Sequence, residues 1–216
     1  MCGRYYVDDE TAREIEKVIR QVDEKLRQDS MINRGNGSGI AGWENGGITL
    51  QARDIHPSET APVLAASNQK LCCTWQRWGF PMQQGSAKQL IFNARSESAL
   101  EKKMFRESVE HRRIVLPATW FYEWNANKEK NIFFRKTQPV LFMAGFYSRY
   151  QDEDRFVILT TAANPSMQPV HDRMPLILEQ DEIVPWIFDR EKTEGILHKV
   201  PCLLERRTEF EQMSLF

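Results

Sequence analysis

The second half of the chain contains a series of short segments rich in β-branched and aromatic residues, separated by polar segments that are typical of turns. They lie at residues 112–124, 131–136, 139–150, 155–163 and 174–179. Such segments predict β-strands, because branched and aromatic side chains fit the pleated surface of a sheet. Helices are inserted among these strands rather than alternating with them, which favours an antiparallel, barrel-like or two-sheet core. The expected fold class is α+β, with peripheral helices.

Three segments predict those helices. Residues 11–28 place apolar side chains on one helical face, and Thr11 with Glu14 fits a capping box at the start. A second helix is expected to begin near Ser98, again with a capping box. A short third helix is expected over residues 191–199. The glycine- and asparagine-rich stretch around Asn36, which follows the first helix, predicts a surface loop.

Length and charge restrict the class of protein. The 216 residues show neither an internal repeat nor a low-complexity linker, and we expect a single domain over residues 1–216. With 29 basic and 30 acidic residues the formal net charge is −1, so a nucleic acid would have to bind at a local patch. Neither a membrane-spanning apolar run nor a signal peptide is recognisable, and a cytoplasmic monomer is expected.

The sequence predicts neither a metal nor a cofactor. The four cysteines form no CxxC pair, and the adjacent Cys72 and Cys73 are poorly placed to bind one metal ion. These two residues and Cys202 are expected to be small buried hydrophobic residues. A phosphate-binding glycine motif within a βαβ unit is also missing, which argues against a nucleotide cofactor.

Four segments combine polar residues with strand-like surroundings. The chain begins MCGR, where Cys2 follows the initiator. In FNARSES, Asn93 and Arg95 project from the same face if the segment is extended. In WFYEW, aromatic neighbours would desolvate Glu123 and raise its carboxyl pKa towards the range useful for acid–base catalysis. In VHDRMPLIL, His171 can titrate near neutrality.

Each segment also has a structural explanation. Asn93 can cap a turn and Arg95 can form a salt bridge. Glu123 can face solvent on the polar side of its strand, and His171 can be a structural hydrogen-bonding residue. Residue types alone leave these alternatives open.

Together the segments resemble one known family. MCGR, WGF, NARSE, WFYEW and VHDRMP occur in this order and are similar to the motifs of the SOS-response-associated peptidase (SRAP) family, whose members shield and crosslink abasic sites in single-stranded DNA. The similarity extends from residue 2 to about residue 190. The family fold is an α+β domain with a central β core.

The resemblance implies a set of catalytic residues. Cys2 would be the crosslinking residue once Met1 is removed. Asn93 would be the polar group beside the reacting sugar. Glu123 would be the acid–base carboxylate, with His171 as its helper.

The resemblance also implies a DNA-binding set, and the partner would be single-stranded DNA that contains abasic sites. Arg4 and Arg95 look like the phosphate-binding arginines, and Gly3 would leave room for the DNA backbone to approach. Trp78, in the WGF motif, is a candidate for stacking on a base. The segment ARDIHPSE departs from the family pattern, since Asp54 and His56 replace more usual neutral residues. The glycine-rich loop also differs.

The chemistry follows from the 1,2-aminothiol of an amino-terminal cysteine. Its amine can add to the aldehyde of an open abasic sugar, and its thiol can then close a thiazolidine ring. The intermediate imine also permits some strand-incising lyase activity. Two alternatives stay open: an amino-terminal nucleophile hydrolase that removes its own first residues, and a binding module for single strands that forms no covalent bond.

Overall fold

The computed structural model describes residues 2–32, 48–84, 87–151 and 153–208. The described residues of the first half of the chain form seven strands and one α-helix: β1 (Tyr5–Val7), α1 (Asp9–Ile32), β2 (Arg53–Ile55), β3 (Thr60–Ser67), β4 (Lys70–Trp78), β5 (Phe80–Gln84), β6 (Ala87–Ile91) and β7 (Asn93–Arg95). Up to residue 208, the described part of the second half forms eight strands and three α-helices: α2 (Lys103–His111), β8 (Arg113–Ala118), β9 (Trp120–Trp124), β10 (Lys130–Phe134), β11 (Leu141–Tyr150), β12 (Glu153–Ala162), β13 (Arg173–Pro175), β14 (Ile177–Leu178), α3 (Ile183–Phe188), α4 (Arg190–Leu197) and β15 (Glu205–Thr208).

Five strands close into a barrel. Strand β4 pairs with β3, β3 with β8, β8 with β11 and β11 with β12, all antiparallel. The ring is completed by β12 and β4, which are parallel and pair Phe156 with Trp78. Trp78, Phe146 and Phe156 are fully buried, as expected for a closed sheet whose hydrophobic side chains pack together. The predicted α+β class and barrel-like core are confirmed, although one of the five pairings is parallel.

A smaller antiparallel sheet has the strand order β15-β10-β9-β1-β2. Only Thr119 separates β8 from β9, so the chain passes directly from the barrel into this sheet. The buried rings of Phe121 and Phe133 stack with their centroids 5.3 Å apart on its inner face. Because β1 is paired between β9 and β2, this sheet determines where the amino-terminal residues lie.

Strand β12 also carries two short outer strands. Strand β7 runs parallel to it and pairs Thr160 with Arg95, while β13 runs antiparallel and pairs Ala162 with Arg173. The NARSE and HDRMP motifs are therefore brought together by one long strand, although about 80 residues separate them in the chain.

Helix α1 begins earlier than predicted and has a different cap. The Asp8 carboxylate accepts hydrogen bonds from the backbone N–H groups of Glu10 (3.0 Å) and Thr11 (3.1 Å). The Thr11 hydroxyl in turn accepts from the Asp8 N–H at 3.2 Å. Asp8 is therefore the N-cap of α1, and Thr11 is the third residue of the helix. The predicted capping box of Thr11 with Glu14 is wrong.

The other helix predictions have mixed outcomes. Residues 96–98 form one 3-10 turn, and α2 begins only at Lys103 without a side-chain cap, so the predicted start at Ser98 is wrong. Helix α4 confirms the predicted third helix, and its cap is Asp189, whose carboxylate accepts from two backbone N–H groups. Helix α3 was not predicted, and its Trp186 is fully buried.

The remaining expectations concern the three other cysteines, a metal site, a membrane-spanning helix and the loop around Asn36. Cys72, Cys73 and Cys202 are half-buried rather than buried, and burial raises their pKa values. Among the described residues, no three His, Cys, Asp or Glu side chains form a group that could hold a metal ion. In the same part of the chain, no helix has the length and apolar character needed to cross a membrane. The predicted loop around Asn36 lies outside the described residues.

Candidate active site

The amino-terminal segment is held by two strands that are distant in sequence. The backbone N–H of Tyr122 in β9 donates to the Arg4 carbonyl at 3.0 Å. The side-chain amide of Asn93 in β7 donates to the Cys2 carbonyl at 2.8 Å. Cys2 is only 2% exposed. Its position is therefore determined by a main-chain bond on one side and by a side-chain bond on the other.

The environment of Cys2 keeps its thiol protonated. Burial raises the pKa of the Cys2 thiol from 9.0 to about 12, and the negative charge of Glu123 adds to this rise. The thiol donates a weak hydrogen bond to the Arg4 carbonyl at 3.7 Å, and a backbone hydrogen bond of Arg4 lowers the pKa by less than burial and Glu123 raise it. At neutral pH the thiol is uncharged and is a poor nucleophile by itself.

The carboxylate of Glu123 and the imidazole of His171 lie close together beside Cys2. Glu123 lies in β9 and is 4% exposed, which excludes the solvent-facing alternative considered from the sequence. His171 Nε2 lies 3.6 Å from Glu123 Oε1, and 26% of the histidine side chain is exposed. The histidine thus connects a buried carboxylate to the surface, an arrangement suited to moving a proton in or out of the site.

The second ring nitrogen of His171 has two partners that suit different protonation states. The backbone N–H of Arg173 donates to Nδ1 at 2.9 Å, and this bond requires an unprotonated Nδ1. The neutral ring then carries its proton on Nε2, which faces Glu123. Asp172 Oδ1 also lies 2.8 Å from Nδ1 and is available to the doubly protonated ring. The two partners of Nδ1 therefore fix the orientation of the ring.

Two further residues of the motifs have a role that the sequence did not indicate. Arg173 and Glu97 form a bidentate salt bridge, with N–O distances of 2.7 and 2.8 Å. This hydrogen bonding lowers the pKa of the Glu97 carboxyl. Arg173 also donates to the Thr160 carbonyl at 2.6 Å. The bridge ties the turn that directly follows β7, the strand of Asn93, to the segment that carries His171.

The two predicted phosphate-binding arginines differ in their surroundings. Arg95 is exposed, and within the described part of the chain its guanidinium has no hydrogen bond or ion pair. Arg4 is paired with Asp54 and lies over the Tyr122 ring, 4.8 Å from its centroid. Of the two, Arg95 is the cation available to an incoming anion, while Arg4 already has an anionic partner.

The remaining predicted residues have clear positions. Trp78 is fully buried, donates to the Phe92 carbonyl at 2.8 Å and packs against Phe156. The expectation that it stacks on a base is therefore wrong, because no face of the ring is accessible. Gly3 is part-exposed between Cys2 and Arg4. Asn93 has a second feature: its side-chain oxygen is buried and has no hydrogen-bond partner among the described residues.

The fold and the site define a class of protein: an α+β barrel whose amino-terminal cysteine lies beside a buried carboxylate and a histidine. The sequence matches the family described as SOS response associated peptidase (SRAP) over residues 1–214. The chain therefore belongs to the SRAP family.

Curated relatives agree with this assignment. Abasic site processing protein YoaM of Bacillus subtilis (strain 168) is 32% identical over 119 residues, covering 51% of this chain and 52% of the relative. Abasic site processing protein YedK of Escherichia coli (strain K12) is 29% identical over 141 residues, covering 62% of this chain and 63% of the relative. The chain thus spans about half of the first relative and less than two thirds of the second.

Solved structures share the fold. A protein from Bacteroides thetaiotaomicron is 20% identical, with a TM-score of 0.69, and the match covers 96% of this chain and 91% of that one. A phage-related protein from Bordetella bronchiseptica is 18% identical, with a TM-score of 0.70, and covers 96% and 93%. At this level of identity the likeness establishes the architecture only.

Proposed function

We propose that the protein processes abasic sites in single-stranded DNA by forming a covalent thiazolidine between Cys2 and the aldehyde of the open sugar. The observation that carries the proposal is the buried cysteine with Asn93 bonded to its carbonyl and with the Glu123–His171 pair beside it. Membership of the SRAP family and the names of its relatives support abasic DNA as the substrate.

The reaction requires that Met1 be removed, because only then does Cys2 carry both an amine and a thiol. The amine attacks the C1′ aldehyde to form a carbinolamine, which loses water to give an imine. The thiol then adds to the imine carbon, and its proton passes to the nitrogen. One C–N bond and one C–S bond form and one water molecule leaves, so the sum is aldehyde plus aminothiol to thiazolidine plus water.

The order of these steps follows from the acidities of the two groups. An α-amine has a reference pKa of about 7.7–8.0, so roughly a tenth of it is neutral and nucleophilic at pH 7. The buried thiol, with its pKa raised to about 12, is almost wholly protonated there. The amine is therefore the first nucleophile. Once the imine has formed, ring closure by the thiol is intramolecular and gains from a high effective concentration.

The neighbouring residues supply the proton transfers. Opening of the sugar ring and loss of water need a proton donor, and closure of the thiazolidine needs a group that accepts the thiol proton. Glu123 accepts and returns protons at Cys2, and His171 exchanges them with solvent through its exposed edge. The Asn93 oxygen, which has no hydrogen-bond partner in the described part of the chain, can accept a hydrogen bond from a sugar hydroxyl.

A single strand is the preferred form of the DNA. Its splayed backbone can enter the site without melting of a duplex. Arg95, exposed and without a hydrogen bond or ion pair to the described residues, offers its forked donors to a phosphate beside the abasic site. Gly3 leaves room for the backbone next to the reacting cysteine.

The test is a crosslinking assay with an oligonucleotide that carries one abasic site, read on a denaturing gel. The wild-type protein should give a covalent band whose mass is the sum of both components minus one water. Cys2→Ala should give no thiazolidine band, whereas Cys72→Ala, which changes a half-buried cysteine elsewhere, should keep it. A strand with a reduced abasic site lacks the aldehyde and should not react. A wild-type protein without the band would overturn the proposal.

The hydrolase alternative has less physical support. An attack on the Met1 carbonyl would need the Cys2 thiolate, which burial and Glu123 both disfavour. The two proposals differ in one measurement: intact mass of protein made in cells depleted of methionine aminopeptidase. Retention of Met1 there argues against self-processing. Strand incision through β-elimination of the imine is a secondary activity. A denaturing gel of the DNA, run without any treatment that reverses the crosslink, would detect it.

A further inference from the structure

Arg4, one of the two proposed phosphate anchors, already has a carboxylate as its partner. Its Nε donates to Asp54 Oδ2 at 2.9 Å, and a terminal guanidinium nitrogen contacts the same oxygen. About a quarter of each side chain is exposed, so solvent screens the pair only in part. A carboxylate and a phosphate offer the same kind of oxygen acceptor to an arginine. Asp54 therefore occupies donors that a phosphate would use.

The placement of Asp54 is a consequence of strand pairing. Strand β2 pairs with β1 so that Asp54 lies opposite Tyr6, two residues beyond Arg4. Side chains two residues apart on a strand share a face, which brings the carboxylate within reach of the guanidinium. The Tyr122 ring lies beneath the guanidinium and limits where it can move. The pair is thus built into the sheet and is not a chance contact of two flexible side chains.

We infer that Asp54 is an internal competitor at the phosphate subsite and lowers the affinity of this protein for intact single strands. The inference rests on the proposed function. To bind Arg4, a phosphate must displace Asp54 or accept its repulsion at close range, whereas Arg95 demands no such exchange. Non-covalent affinity is then weak, and selection for damaged DNA comes from the covalent step at the abasic aldehyde. Asp54 is in this sense a specificity-determining residue.

The experiment measures binding of an intact single-stranded oligonucleotide by fluorescence anisotropy at several salt concentrations. Asp54→Asn should raise the affinity roughly three- to tenfold at low salt, because it frees one cation for a phosphate. It should also steepen the slope of log K against log salt by about 0.7, the value expected for one more neutralised phosphate on a single strand. Crosslinking of abasic DNA below saturation should accelerate by a similar factor.

Two controls separate this effect from a general change of charge. Asp154→Asn makes the same substitution at another carboxylate paired with an arginine, Arg149, at 3.3 Å, and should leave affinity and slope unchanged. In an Arg4→Ala background, Asp54→Asn should lose its effect, because the competitor acts through Arg4. Asp54→Ser removes the same charge and replaces the asparagine variant if circular dichroism shows that the latter is not folded.

The outcomes distinguish the inference from the proposed function. If the wild type crosslinks abasic DNA but the Asp54 variants bind intact strands no more tightly, or more weakly, Asp54 orients Arg4 rather than competing for it, and the inference is overturned. If the wild type forms no crosslink, the proposed function itself fails. An equal gain with Asp154→Asn would also overturn the inference, since it would reduce the effect to net charge.

Discussion

The hydrogen bond between Asn93 and Cys2 is the contact whose removal tests the site most directly. Asn93→Ala leaves the Cys2 carbonyl without its donor, which lies 2.8 Å away. Losing a buried hydrogen bond and leaving its acceptor unsatisfied costs about 1–3 kcal/mol. If that loss appears in the positioning of Cys2, crosslinking slows about five- to 150-fold, because each 1.36 kcal/mol corresponds to about tenfold in rate.

The assay is single-turnover crosslinking with the abasic strand in saturating excess, so that binding does not limit the rate. Thr193→Ala is the matched control: this buried threonine also donates from its side chain to a backbone carbonyl, that of Asp189, at 3.2 Å, and it lies in α4. It makes no contact with Cys2 among the hydrogen bonds described. Its crosslinking rate should therefore stay near that of the wild type.

Thermal unfolding gives the second readout. The Asn93 side-chain oxygen is buried and has no hydrogen-bond partner among the described residues, so Asn93→Ala also removes an unsatisfied acceptor, which offsets part of the cost of the lost hydrogen bond in the free energy of unfolding. A rate that is unchanged in Asn93→Ala would refute this account of the site. Equal slowing in both variants would refute it as well, because it would indicate general loosening rather than loss of a specific contact.

Three further predictions concern the same framework. In protein that retains Met1, Glu123→Gln should speed alkylation of the Cys2 thiol at pH 8, because it removes a negative charge that raises the thiol pKa. The gain should be less than the thousandfold that separates a pKa of about 12 from 9.0, since burial is the larger cause of the rise. Peptide mass spectrometry measures the alkylation rate, and an unchanged rate would contradict the prediction. The Glu97 pKa is lowered in the folded state, so its contribution to stability is present above the unfolded carboxyl pKa and is lost as pH falls through the folded value. Denaturant unfolding of Glu97→Gln should accordingly show a deficit at pH 7 that disappears in acid, and a deficit independent of pH would exclude the salt bridge as its source. Gly79 has φ +106°, and an added Cβ would lie 2.5 Å from the Leu90 side chain, so Gly79→Ala should lose about 1–3 kcal/mol of stability. Gly195→Ala is the control: its added Cβ would have no atom within 4 Å, so it should not destabilise helix α4.

The strands were predictable because their signal is local. Branched and aromatic residues mark β8 to β12 in the sequence, and the structure has strands within each of these segments. The parallel pairing of β4 with β12 was not predictable, since it joins segments about 80 residues apart and leaves no pattern in either. The cap of α1 was assigned three residues too late, because Asp8 and Thr11 are both good capping residues and only the backbone geometry decides between them.

The site shows the same limit. The resemblance identified Cys2 and Asn93, and the structure brings them into contact. The resemblance could not identify the partner of Arg4, because the Asp54 carboxylate comes from another strand and departs from the family pattern. Trp78 was assigned to DNA binding from its motif, although burial depends on where the barrel closes. Sequence motifs thus indicate which residues are used, while tertiary pairing determines what each one faces.

The way the site is assembled has a consequence for when it becomes reactive. Asn93 and Cys2 are 91 residues apart, and the Tyr122 bond to Arg4 spans more than 100 residues, so neither contact can form until β7 and β9 have joined their sheets. The residues synthesised first are therefore positioned only after strands much later in the chain are in place. Before that point the contacts that hold Cys2 beside the Glu123–His171 pair are absent. Thiazolidine formation that depends on these groups is consequently a property of the closed fold, and a peptide of the first residues alone should lack the acid–base assistance that the folded protein provides.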